Sequence, residues 1–258
     1  MSDNQAGVSP LFFERYEIKY LIPYRLVDPI SEYVKAYCDM DYYSEVSPDS
    51  FYTINSLYLD SPVHTFYHNS DGVNPKRFNM RIRSYGDDPK PPYFFEVKEK
   101  TADFVKKSRA KVKTPNIQSV LEGTYKPEDI DMGSKKNLDK FLSYAQIYNV
   151  QPQVLTQYRR RAFLSNVEDY VRITFDVDLK CKEENTFNLW PNPREMLSYD
   201  SSLIFDDGAS SESLAILELK CESRVPLWYL DLIRVFELER GSFSKYGNSL
   251  ERVTKLYL

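Results

Sequence analysis

Phe78-Asn79-Met80-Arg81-Ile82-Arg83 and Tyr93-Phe94-Phe95-Glu96-Val97-Lys98-Glu99-Lys100 read as two adjacent strands with one apolar and one charged face. Successive side chains of a strand point to opposite sides, so Arg81 and Arg83 share a face, as do Glu96, Lys98 and Lys100. Phe78, Met80, Ile82, Phe95 and Val97 line the reverse. Asp87-Asp88-Pro89 through Pro92 carries the turn between them. One such strand alone would be the solvated face of an antiparallel sheet.

The pattern recurs along the chain. Glu17-x-Lys19 is backed by Tyr16, Ile18 and Tyr20, and Arg109-x-Lys111 follows the central pair. Tyr158-x-Arg160-x-Ala162 comes next, then Arg172-x-Thr174-x-Asp176-x-Asp178 backed by Val171, Ile173, Phe175, Val177 and Leu179. Glu218-x-Lys220, backed by Ala215, Leu217 and Leu219, closes the series. The simplest object that accommodates all of these is an α+β fold: a closed antiparallel β-barrel with a polar interior and helices packed outside. Arg and Lys facing one another repel unless an anion neutralises them, and guanidinium forks match phosphate oxygens in pairs. Glutamates among them suit a divalent cation that bridges the anion, so the implied content is a polyphosphorylated ligand with a metal.

The same residues, in the same order, resemble the VTC domain, the polyphosphate polymerase branch of the triphosphate tunnel metalloenzymes. The likeness rests on Glu17-x-Lys19, Arg81-x-Arg83, Glu96-x-Lys98, Tyr158-x-Arg160-x-Ala162-Phe163, Arg172 before Asp176 and Asp178, Glu218-x-Lys220 and Ser244-Lys245-Tyr246. It spans the chain from about Phe13 to the C-terminus.

The resemblance implies a triphosphate tunnel and transfer of the ATP γ-phosphate to growing inorganic polyphosphate. It assigns Arg81, Arg83, Lys98, Arg160, Arg172 and Lys245 as catalytic residues and Lys19, Lys111, Ser244 and Lys220 as further phosphate contacts. Glu218, Glu96 and Glu17 become ligands of Mn²⁺ or Mg²⁺. A metal-dependent triphosphatase acting on tripolyphosphate or nucleoside triphosphates is the alternative enzyme, and a non-catalytic polyphosphate-binding module is the alternative of another class. The eukaryotic pattern of that family adds an N-terminal regulatory domain and membrane helices, which are not expected here, and a separate membrane chain is the partner such a pattern would then call for.

Composition narrows the partners. A net charge of −4 argues against nucleic acid as the main ligand while allowing a local basic interior. No Walker-type glycine loop is present, and 8 glycines in 258 residues leave little room for one. Cys38, Cys181 and Cys221 have no metal-ligand spacing and read as reduced buried thiols. His64 and His68 stand at i, i+4 without a third ligand and read as packing or surface groups. No apolar run approaches a membrane span and no signal pattern opens the chain, so a cytoplasmic protein without direct membrane insertion is expected.

The remaining segments supply helices. Residues 1–10 are expected to be flexible, with a single tunnel domain over 11–258. Leu26, Ile30 and Val34 recur at helical spacing, and Ser61-Pro62 reads as the start of a short helix through Tyr67. Residues 115–150 read as a helical insertion outside the barrel. Residues 182–209 are polar and proline-containing, with strand expected in part. Helices are expected over about Pro226 to Glu239 and from Ser244, a candidate N-cap, to Leu258.

Overall fold

The computed structural model describes residues 16–70, 76–101, 104–168, 170–199, 205–206, 211–222 and 225–254. The expected flexible N-terminus lies outside these residues.

The chain runs through β1 (Tyr16–Pro23), α1 (Val27–Val34), β2 (Cys38–Met40), α2 (Tyr42–Val46), β3 (Tyr52–Asp60) and α3 (Thr65–His68). The meander β4 (Lys76–Tyr85), β5 (Tyr93–Thr101) and β6 (Phe104–Val112) leads to α4 (Ile117–Leu121) and α5 (Lys135–Ile147). The long strands β7 (Gln151–Ser165) and β8 (Arg172–Glu183) precede three short ones, β9 (Leu197–Ser198), β10 (Phe205–Asp206) and β11 (Ser211–Glu212). β12 (Leu214–Cys221), α6 (Leu227–Val235) and α7 (Lys245–Thr254) complete it.

The main sheet is antiparallel in the order β1-β12-β8-β7-β3-β4-β5-β6, with β2 beside β7 and β9 beside β8. Its register sets Arg81 opposite Glu96, Lys98 opposite Lys107, Arg160 opposite Asp176 and Lys19 opposite Glu218. These paired charged positions therefore fall on one continuous face.

The expected closed barrel is corrected at one point. Among the described residues no backbone ladder joins β1 to β6, so the sheet is not closed by hydrogen bonds. Side chains span the seam instead: Glu17 of β1 reaches Lys98 of β5 at 3.1 Å and Lys107 of β6 at 3.4 Å. Strand β6 carries Lys106, Lys107, Arg109 and Lys111, and such charge along an edge strand opposes backbone pairing.

Two apolar cores lie on the outer face. Ile173, Phe175, Leu217 and Leu219 pack with Ile30 and Val34 of α1 and Tyr229 and Leu232 of α6. Met80, Ile82, Phe95 and Val97 pack with Ile117 and Val120 of α4 and Leu138 and Phe141 of α5. The Phe95 and Phe141 rings meet edge to face at 5.0 Å. Both side chains are essentially fully buried, so truncating either to alanine costs about 3–5 kcal/mol. The insertion thus sits on the outer face, as its periodicity predicts.

Helix α7 departs from the expectation that all helices lie outside. Its Tyr246, Leu250 and Val253 pack against Ile54, Val154, Leu179, Cys181, Leu214 and Ile216. By strand alternation Ile54 shares its face with Tyr52 and Tyr58, and Ile216 with Glu218, so α7 lies on the charged side of the sheet. That face is apolar at one end and ionic at the other, and the helix covers the apolar end.

A bulge explains part of this. The β7–β8 register shifts between Gln157 and Arg159, and Asp178 opposite has φ of 52°. The shift inverts the alternation beyond it. Leu179 and Cys181 join the inner apolar end, whereas Asp178, expected to share a face with Asp176, turns away to meet Arg159 at 3.3 Å. The three cysteines are free and buried. Among the described residues no helix is long and apolar enough to cross a membrane.

Candidate functional site

The charged end of the inner face encloses a cavity of about 340 Å³, within the size range of small-ligand pockets. Every site residue expected from the sequence lines it except Lys111: Glu17 and Lys19 from β1, Arg81 and Arg83 from β4, Glu96 and Lys98 from β5, Arg160 from β7, Arg172 from β8, Glu218 and Lys220 from β12, and Ser244 and Lys245 at the start of α7. Lys111 is exposed and stands opposite Phe94, beyond the lining. Two basic residues join that were not among the expected contacts, Lys107 and Arg109. Their signal was present, since Lys107, Arg109 and Lys111 alternate along one strand. Tyr52, Tyr58, Tyr85, Tyr158, Tyr170 and Tyr246 also line the cavity. Both histidines lie on or at the start of α3, outside the lining.

The cations do not simply repel, as the sequence argument supposed, because buried carboxylates are interleaved with them. Glu96 sits among three guanidiniums, with Arg81 Nε at 2.6 Å, Arg109 Nε at 3.3 Å and Arg83 Nη1 at 3.8 Å. Burial pushes its carboxyl upward, but Arg81, Arg83 and Arg109 outweigh that and bring it down to about 2. Asp176, fully buried, receives Arg160 Nε at 2.6 Å and Nη2 at 2.7 Å, and Lys245 Nζ at 2.6 Å. The same contest between burial and the Arg160 and Lys245 charges leaves it at about 2. Both carboxylates stay ionised, and their partners stay oriented.

Tyrosine hydroxyls complete the arginine shell. Tyr58 accepts from Arg81 at 3.3 Å, Tyr158 from Arg83 at 3.2 Å and Tyr85 from Arg109 at 3.0 Å. Arg83 also donates to Ser56 Oγ at 3.2 Å. Arg172 Nη2 lies 3.3 Å from Asp41, the N-cap of α2, which accepts from the Ser44 amide at 2.9 Å. At α7, Ser244 is the N-cap that its sequence predicts, its Oγ accepting from the Gly247 amide at 3.0 Å. The positive end of the helix dipole therefore faces the cavity beside the Lys245 ammonium.

The lining holds ten Lys and Arg against three Glu, with Asp176 directly behind. Internal pairing neutralises only part of that charge, and the excess remains for an anion. Accessibility is graded: the side chains of Lys98 and Arg172 are 35% and 34% exposed, against 11% for Arg160 and 8% for Arg83. The former can turn to a ligand, while the latter are fixed by their partners.

The three expected metal ligands separate into two groups. Among the described residues no cluster of three or more His, Cys, Asp or Glu converges, which excludes a cage built from those protein ligands alone there. Glu17 and Glu218 do come together, sharing Lys220 at 3.7 Å and 2.9 Å and Lys19 at 3.8 Å and 4.0 Å. Two adjacent carboxylates at a cationic cavity suit a hard cation such as Mg²⁺ or Mn²⁺, which takes oxygen ligands and keeps part of its water shell. Glu96, enclosed by three guanidiniums, has the wrong surroundings for a cation.

The sequence profile described as the VTC domain matches residues 14–254. No curated protein matches the sequence. Among solved structures, a Vibrio parahaemolyticus protein provisionally described as an adenylate cyclase is similar at 14% identity and a TM-score of 0.44, over 92% of this chain and 97% of that one. A protein of Pyrococcus horikoshii aligns at 12% identity and a TM-score of 0.44, over 92% and 99%. A Bacillus halodurans protein with the same provisional description as the Vibrio one aligns at 10% identity and a TM-score of 0.45, over 93% and 98%.

Proposed function

The chain belongs to the VTC domain family, and from that membership we propose that it is a cytoplasmic polyphosphate polymerase, moving the γ-phosphoryl group of ATP onto a growing inorganic polyphosphate chain. The observation that carries this reading is the charge of the cavity, ten Lys and Arg against three Glu in about 340 Å³. Phosphoryl transfer needs an attacking oxygen in line with the leaving oxygen and cations around the transferred group, with little covalent help from the protein.

The attacking oxygen belongs to the terminal phosphate of the polyphosphate and is already anionic, so it needs no general base. It bonds to the γ-phosphorus as the bond to the β–γ bridging oxygen breaks, and ADP leaves with that electron pair. Arg81, Arg83, Lys98, Arg160, Arg172 and Lys245 surround the transferred group. Lys19, Lys220 and the helix start at Ser244 take neighbouring phosphates. Lys111, exposed two residues along β6 from Arg109, acts outside the cavity on the entering or leaving polymer. Glu17 and Glu218 would hold a divalent cation, which when bound would supply further charge neutralisation.

Phosphorus NMR of the protein with ATP and Mn²⁺ tests the reading, with Arg172→Ala and Glu218→Gln as controls. Growth of the internal polyphosphate signal with ADP release, lost in both variants, is expected. Orthophosphate as the sole product makes the protein a triphosphatase instead. Intact ATP that still raises the melting temperature makes it a binding module.

A further inference from the structure

An aromatic cluster runs from the lining of the cavity out to exposed rings at its edge. The Tyr43 ring lies 5.7 Å from Tyr52 and 6.3 Å from Tyr85, the latter pair nearly parallel at 11°. Tyr85 in turn meets Phe94 at 5.5 Å. Tyr52 and Tyr85 line the cavity, so the cluster is continuous with it. Tyr43 nevertheless leaves 59% of its surface exposed, and the adjacent Tyr42 leaves 69%. These rings lie on α2, held in place because Asp41, its N-cap, also takes the Tyr52 hydroxyl at 3.4 Å and Arg172 at 3.3 Å.

Arg109 joins the two regions. Its Nε is 3.3 Å from Glu96 in the phosphate site, while its guanidinium carbon lies over the Phe94 ring at 3.7 Å and 5.7 Å from the Tyr85 ring centre. Exposed aromatic faces within one arginine's length of a polyphosphate site match the two ends of a nucleoside triphosphate. The planar base stacks on rings, and the phosphates meet the cations.

We propose that Tyr43, with Tyr85 and Arg109, forms a nucleobase subsite that seats the base of the phosphate donor at the cavity mouth. The proposal rests on the phosphate-binding reading above and deepens it. Recognition in this subsite is by stacking on ring faces. The subsite therefore accepts any base with a π-face, and purines, with the larger face, bind more tightly than pyrimidines.

Calorimetric titration of the intact protein with ATP, CTP and inorganic triphosphate tests this for wild type, Tyr43→Ala and Tyr43→Phe. Wild type should bind ATP more tightly than CTP and than triphosphate. Tyr43→Ala should weaken ATP binding on the order of tenfold or more, leave triphosphate unchanged, and be rescued by Tyr43→Phe. An equal loss for ATP and triphosphate, or no loss for either, overturns the subsite while leaving the phosphate reading intact. If wild type binds neither ATP nor triphosphate, the phosphate reading falls and takes the subsite with it. Tyr43 is exposed enough for its truncation to leave the fold intact, and unchanged melting of the free protein verifies that.

Discussion

Arg160 and Asp176 stand opposite each other in the β7–β8 ladder and form a two-pronged ion pair in which the carboxylate is fully buried. The pair also ties the cavity lining together, because the Lys245 ammonium closes on the same carboxylate from the start of α7.

Replacing Asp176 by asparagine leaves Arg160 and Lys245 buried against each other without a counter-charge. Breaking such a pair by removing one partner costs about 3–5 kcal/mol. Urea unfolding of Asp176→Asn should show that loss in the free protein. Saturating triphosphate should recover part of it, since the added anion supplies the missing charge. A loss below 1 kcal/mol would mean that solvent screens the pair.

The pH dependence of stability follows from the same carboxylates. Glu96 and Asp176 have folded-state values near 2, below their ordinary values of 4.5 and 3.8. For depressed carboxyls the contribution is complete above the unfolded values and is lost as pH falls through the folded ones. Each contributes on the order of 2–3 kcal/mol at neutral pH. Stability should therefore decline from about pH 5 downward and continue to fall to about pH 2. In Glu96→Gln the decline should be shallower by about one proton, measured as the slope of unfolding free energy against pH.

Much of this site was legible because strand alternation is a two-residue rule that charged and apolar residues obey openly. Arg81, Arg83, Glu96, Lys98, Glu218 and Lys220 were placed on one face by that rule alone, and the profile of residues 115–150 gave α4 and α5 their outer position. The rule failed where one residue was inserted into the count. Asp178 looks like the next member of the Arg172, Thr174, Asp176 series, yet its left-handed backbone starts the bulge that reverses the face. Lys107 was missed because Lys106 beside it hides the alternation, and Lys111 was included because residue type does not reveal where a cavity ends. The open seam was not legible, since strand order depends on pairings between distant segments such as β1 and β12.

Glu17 spans that seam, and its ion pairs involve partly exposed ammonium groups, 35% for the Lys98 side chain and 52% for Lys107. Such pairs contribute about 1 kcal/mol or less. Glu17→Gln should therefore change the denaturation midpoint little. Hydrogen exchange should report it locally, as faster exchange of the β6 amides, because the edge strand loses its tie to β1. Global destabilisation of several kcal/mol would assign Glu17 a larger structural role than the seam.

The division among the three glutamates gives a prediction about metal. Glu17 and Glu218 share the Lys220 ammonium at 3.7 Å and 2.9 Å, whereas the oxygens of Glu96 are committed to Arg81, Arg83 and Arg109. Adding Mn²⁺ to the triphosphate-saturated protein should raise the melting temperature beyond that of triphosphate alone. Glu218→Gln should abolish this increment while keeping most of the response to triphosphate. Glu96→Gln should begin from a lower melting temperature, because three guanidiniums lose their common carboxylate, yet keep the increment. The reverse outcome, with the increment lost in Glu96→Gln and kept in Glu218→Gln, would move the cation to the arginine side of the cavity, where it could bind only after Glu96 gave up its guanidinium partners.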